Sequence, residues 1–168
     1  MVIREITLDD AENLIDLIKQ VESESKYMLM EAGERQTTPE QQRNQLERLL
    51  QQHHSTIFVA EEEGKLVGYL MSIGGSVNRT KHTAYLVIGI LEEYRGKGIG
   101  TRLFKRLDQW AARCHMTRLE LTVVTENEPG IALYKKSGFE IEGIKRNSLK
   151  IDGEYYNEYF MAKLVESC

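Results

Sequence analysis

Cysteine is nearly missing from this sequence: Cys114 and Cys168 are the only two in 168 residues. Two cysteines so placed make neither a disulfide framework nor a metal-ligand spacing, so a reduced, cytoplasmic protein without a metal is expected. Proline is equally scarce, at two residues, and no linker, repeat or low-complexity stretch divides the chain. No apolar run reaches the length of a membrane span. The opening Met1-Val2-Ile3-Arg4-Glu5 lacks the apolar region of a secretion signal, so no membrane partner is expected. Positive charge is in deficit, with 22 Lys and Arg against 26 Asp and Glu. The net charge of -4 argues against nucleic acid as a partner.

The hydrophobic content, 41%, is enough for one sizeable core, and residues 1–168 read as a single domain. The scarce positive charge is gathered: Arg95, Lys97, Arg102, Lys105 and Arg106 share one short stretch. A local basic patch on an acidic chain suits a small anionic ligand better than a long polyanion.

Val2 to Thr7 reads as an opening strand, and Thr7 with Asp10 has capping-box spacing. Ala11, Leu14, Ile15, Ile18 and Val21 form a one-face helical stripe. Ser23 to Thr37 has no period and reads as irregular. Thr38-Pro39 then opens a second helix with the stripe Leu46, Leu49 and Leu50. Thr56–Glu61 and Lys65–Ile73 flank Glu62-Glu63-Gly64 as a hairpin. Ala84 to Leu91 is an almost unbroken apolar run, expected to be a strand buried on both faces. Ile99 to His115 is the plainest helix. Leu119, Leu121 and Val123 alternate as a strand, and Pro129 to Ser137 is a short helix stopped by Gly138. Two closing strands, Phe139–Leu149 and Tyr155–Leu164, flank Ile151-Asp152-Gly153-Glu154. This order predicts an α/β fold: a mixed sheet with helices on both faces.

One segment carries chemistry: Tyr94-Arg95-Gly96-Lys97-Gly98-Ile99-Gly100-Thr101, between the apolar strand and the plainest helix. A diphosphate needs backbone N–H donors at close range. Glycines at 96, 98 and 100 clear side chains from the approach and allow positive φ. The helix start adds unpaired N–H groups and partial positive charge, and Arg95 and Lys97 add cations. The segment is no P-loop, since no Gly-Lys-Ser/Thr follows at the right spacing. It is no dinucleotide fingerprint either, because Glu120 stands near the start of the next strand rather than at its end. A glycine-rich turn without a ligand is the plainer alternative.

Arg95-x-x-Gly98-x-Gly100 resembles the acetyl-CoA signature of the GCN5-related N-acetyltransferase (GNAT) superfamily. Ile88 to Tyr94 is similar to the strand and turn before that signature, and Asn127 to Phe139 to the family's second motif. The resemblance implies a mostly antiparallel mixed sheet with a splayed central strand pair. It implies acetyl-CoA as cofactor, with pantetheine pairing along Ile88 and Ile90, and Gly89 suits a β-bulge there or, equally, a small residue packed under a helix. Arg95, Gly96, Lys97, Gly98, Ile99, Gly100 and Thr101 would hold the diphosphate. Asn127 would bond the cofactor arm, or cap its helix, or both. Lys136, with Lys135 beside it, would touch phosphate. Tyr134 occupies the position of the family's general acid.

The reaction implied is direct attack of a primary amine on the thioester, which also needs a base for the ammonium proton. Glu120, Glu92 and His82 are the candidates, with a water relay as alternative. Glu22, Glu24, Glu31 and Glu34 make the acceptor side partly acidic, which would suit a cationic amine, a solvated helix and loop face being the plainer alternative; a small amine or an amino acid is the expected acceptor. A protein N-terminus or lysine is the alternative acceptor. A non-catalytic acyl-CoA-binding regulatory module is the alternative class, against which Tyr134 speaks. Tyr155, Tyr156, Tyr159 and Phe160 in the closing hairpin suggest a homodimer.

Overall fold

The computed structural model describes residues 1–166; Cys168 lies outside them. Strands β1 (Val2–Glu5), β2 (Thr56–Glu62), β3 (Lys65–Gly74), β4 (Thr83–Ile90), β5 (Arg118–Val124), β6 (Glu140–Ile151) and β7 (Glu154–Leu164) form one sheet in the order β1-β2-β3-β4-β5-β7-β6. Every neighbouring pair is antiparallel except β4 with β5. Helices α1 (Ala11–Glu24), α2 (Pro39–Leu50), α3 (Ile99–Arg113) and α4 (Glu128–Lys136) complete the fold.

Local chemistry sets each helix start. The Thr7 N–H donates to Asp10 at 2.8 Å, and Arg4 forks onto both Asp10 oxygens at 2.8 and 2.9 Å. Thr38 and Gln41 cap α2 reciprocally: Gln41 N–H donates to the Thr38 hydroxyl, and Thr38 N–H donates to the Gln41 side chain. Leu46 faces the core of that helix, whereas Leu50 is exposed. Residues 25–38 form no helix or strand, as their lack of period predicts.

Five successive β2 residues, Thr56 to Ala60, are buried, so both faces of the sheet are covered. Arg106 of α3 lies over the Phe58 ring on one face, and Ile57 meets the α1–α2 side on the other. Leu103 and Leu107 of α3 are fully buried, and truncating either to Ala would cost about 2–5 kcal/mol.

Strand β4 departs from the expectation of burial on both faces, since Tyr85 is 42% exposed and Val87, Ile88 and Ile90 are half-buried. The cause is the sheet itself. Strands β4 and β5 pair only from Thr83 to Tyr85 against Arg118 to Glu120. Beyond Tyr85 they diverge. β4 stays on β3 through Ile90, and β5 stays on β7 through Val124.

Candidate active site

The divergence of β4 from β5 opens a groove of about 1480 Å³, large enough for a cofactor and an acceptor together. One wall is the unpaired edge of β4. Leu91 N–H donates to Val67, and the Thr83 carbonyl accepts from Gly75, so odd-numbered β4 residues face β3. The even-numbered residues therefore turn N–H and C=O into the splay, which places Ile88 and Ile90 on the free edge. The Ile90 carbonyl accepts from Arg95 Nε at 3.1 Å, on that side.

Gly89 makes no bulge, because the β3–β4 register runs unbroken across it. The residue is glycine for another reason. A β-carbon there would lie 2.6 Å from the Tyr69 ring, which is fully buried.

A short 3-10 turn, Glu92–Tyr94, leads from β4 to the glycine segment. Glu24 at the end of α1 accepts from the Glu92 N–H at 2.8 Å and ties the two together. Gly96 and Gly98 have φ of 74° and 81°, and a β-carbon on either would meet nothing within 4 Å. Gly98 is the N-cap of α3, so the first N–H groups of that helix open onto cleared space. Gly100 does a different job: a β-carbon there would lie 2.7 Å from Leu133, so it seats α3 against α4. Arg95, Gly96, Gly98, Ile99, Gly100, Thr101 and Lys136 line the groove. Lys97 does not. It lies 5.3 Å over the Tyr94 ring, beside a smaller hollow shared with Met1, Glu62 and Arg102. Lys135 also lies off the groove. Free N–H groups, open glycines and two cations fit an organic diphosphate, and the β4 edge fits an amide-bearing arm.

Across the splay, the Asn127 side chain accepts from Gly130 N–H at 3.1 Å and caps α4. The Phe139 N–H returns to the Tyr134 carbonyl at 2.9 Å, closing the helix on Gly138. Tyr134 packs edge-on against Phe104 and Phe139, with centroids 5.8 and 6.4 Å away. Its side chain lines the groove, and its hydroxyl makes no hydrogen bond among the described residues. Burial pushes the phenol pKa well above its ordinary value, so it carries its proton across the neutral range.

The three base candidates sit apart from this. His82 is exposed, and its carbonyl joins β4 to β5 by accepting from Thr117 and Arg118. Glu92 is exposed in the turn. Glu120 is ion-paired to Arg118 at 2.9 Å. None of the three lines the groove.

Two features escape sequence reading. Of the acids expected on the acceptor side only Glu22 and Glu24 line the groove; Glu22 is gripped by Arg35 from the irregular segment, and Glu24 accepts from the Glu92 amide. Tyr69 lies in the same corner, its phenol pKa raised by burial and by Glu22. Arg35 gave no signal, since it sits thirteen residues from its partner in a stretch without period.

The family model "Acetyltransferase (GNAT) family" matches residues 18–139. An L-amino acid N-acetyltransferase of Escherichia coli K12 is 34% identical over 110 residues, covering 63% of this chain and 66% of that protein. A spermidine N(1)-acetyltransferase of the same organism is 35% identical over 101 residues, 60% of this chain and 53% of that protein. The chain thus spans between half and two thirds of these relatives. The crystal structure of a GNAT-family acetyltransferase from Streptococcus pneumoniae has a TM-score of 0.93 at 27% identity, covering 98% of both chains. Family model and near-complete fold match agree: this chain belongs to the acetyltransferase (GNAT) family.

Proposed function

We propose that the chain is an acetyl-CoA-dependent N-acetyltransferase acting on the primary amine of a small amine or amino acid, with Tyr134 as general acid. Members of the family use acetyl-CoA. When bound, that cofactor supplies an activated acyl thioester. The residues that would hold it are Gly96, Gly98, Ile99, Gly100 and Thr101 at the start of α3, Arg95 and Lys136 as cations, and the free edge at Ile88 and Ile90. Asn127 shapes the far side of the splay.

The observation that carries the reading is the placement of Tyr134. A protonated phenol stands at the side of the splay, its hydroxyl without a hydrogen bond among the described residues. From there its hydroxyl can serve a departing sulfur as proton donor. The Ile90 N–H faces the same gap and can stabilise developing negative charge on oxygen. The acceptor amine enters between α1, the irregular segment and the β6–β7 hairpin. Its ammonium proton leaves by water, since Glu120, Glu92 and His82 stand off the groove. The same proposal makes the chain a single cytoplasmic domain that pairs as a homodimer.

Free-thiol release in the presence of acetyl-CoA tests this, with amino acids, polyamines, aminoglycosides and peptides as acceptors. Turnover on a small amine or amino acid is expected. Turnover on peptides alone would move the assignment to proteins. No release from any acceptor, with tight coenzyme A binding, would make the chain a binding module.

A further inference from the structure

The acceptor end of the groove contains a buried ion pair. Glu22 of α1 has a side chain 3% exposed, and Arg35 reaches it from the segment between α1 and α2. Arg35 Nε lies 3.0 and 3.1 Å from the two Glu22 oxygens, and Nη2 lies 2.8 Å from one of them. This grip uses one edge of the guanidinium. Nη1 makes no hydrogen bond among the described residues, and the Arg35 side chain, 26% exposed, lines the groove.

The pair is joined to the reacting region by one side chain. Tyr69 lies within electrostatic range of both Glu22 and Arg35. Its ring packs on Gly89, between Ile88 and Ile90 on the free edge of β4.

We propose, building on the acetyltransferase reading, that Arg35 binds a carboxylate carried next to the acceptor's amine, so that the acceptor is an α-amino acid and not a polyamine. Three features support this. First, an arginine fork suits a carboxylate, and Glu22 fixes its direction before any ligand arrives. Second, a polyamine is met by carboxylates turned toward it, and each of those at this end already accepts a hydrogen bond within the chain, with the charge of Glu22 paired as well. Glu22 holds Arg35, Glu24 accepts from Glu92 N–H, and Glu158 accepts from the Ser148 hydroxyl. Third, the cations Arg35, Lys26 and Lys145 match Glu22, Glu24 and Glu158 in number, so this end carries no surplus negative charge for a polycation. A zwitterionic acceptor complements the pair: its carboxylate meets Arg35, while Glu22 keeps the net charge beside the incoming amine near zero.

The test uses matched acceptors with acetyl-CoA and free-thiol release. An amino acid, its amide and its decarboxylated amine are compared, with spermidine and a short peptide alongside. The wild-type chain is expected to prefer the acid over its amide by at least about 100-fold in kcat/KM. Arg35→Lys is expected to shrink that ratio by about tenfold through KM for the acid, because the fork is lost while the charge is kept. Arg35→Gln strands the Glu22 carboxylate and can unfold, so the Glu22→Gln/Arg35→Gln double variant accompanies it. In the double variant the ratio is expected to fall to about one. Calorimetric acetyl-CoA affinity reports whether the fold survives. Wild-type preference for spermidine, the amide or the peptide would overturn the carboxylate role and leave the acetyltransferase reading standing. So would an undiminished acid preference in the double variant. Absence of thiol release with every acceptor would overturn both.

Discussion

Gly89→Ala isolates the contact between β4 and the buried Tyr69 ring. The added methyl would stand 2.6, 2.7 and 2.8 Å from Tyr69 Cε1, Cζ and Oη. Carbon contacts settle at about 3.5–4.0 Å, so something must yield by about 1 Å. The ring cannot swing aside, since Tyr69 is 1% exposed, and β4 cannot retreat, since it is in continuous register with β3. Overpacking of this kind costs about 1–3 kcal/mol. At about 2–4 °C per kcal/mol for a chain of this size, Tm should fall by about 2–12 °C. Urea unfolding gives the free energy, and a thermal scan gives Tm. The steric origin is checked by repeating the substitution in a Tyr69→Leu background, where it should cost much less because the ring is gone. An unchanged unfolding energy, or the same loss in both backgrounds, would refute the reasoning.

Gly98→Glu should abolish acetyl-CoA binding in calorimetry, because it forces a side chain onto a residue at φ 81° and puts a carboxylate where the diphosphate would lie; unchanged affinity would contradict this. The hydrogen bond from Arg4 holds the Asp10 carboxyl below the usual carboxylate range. Stability from this lowered carboxyl is full above about pH 4 and lost as pH falls through its folded value. Asp10→Asn should therefore lose about 2 kcal/mol at neutral pH and much less in acid, whereas an equal loss at both would count against the pair. The exposed Ile144, Tyr155 and Phe160 of β6 and β7 should bury in a dimer, seen by sedimentation at micromolar concentration, and a pure monomer would speak against it.

Much of the fold was legible because local rules and tertiary packing agree. The Thr38 cap, the α3 stripe and the Glu62-Glu63-Gly64 turn each state their own structure. The glycine segment was legible as a site because positive φ and a helix start leave marks in the sequence. What failed depended on three-dimensional neighbours. The apolar run of β4 reads as doubly buried, yet its partner strand leaves after three residue pairs. Gly100 looks like a conformational glycine and is a steric one, cleared for Leu133, and of the two readings of Gly89 the bulge fails while a packing role holds, against Tyr69 and not a helix. Lys97 sits in the motif but turns onto Tyr94. The Glu22–Arg35 pair joins two segments whose spacing carries no period, so composition read Glu22 as a free acid when it is spoken for.

Tyr134→Phe tests the central claim most directly, that acyl transfer occurs in the splay with the Tyr134 proton serving the leaving sulfur. The ring keeps its packing on Phe104 and Phe139, and the hydroxyl has no hydrogen bond to lose among the described residues, so stability should hold. Single-turnover thiol release with a saturating acceptor, alongside calorimetric acetyl-CoA affinity, separates chemistry from binding. Affinity should stay within about twofold while the chemical step slows by about ten- to a thousandfold. Full-speed thiol release with chemistry rate-limiting would contradict the claim and leave Tyr134 a core side chain.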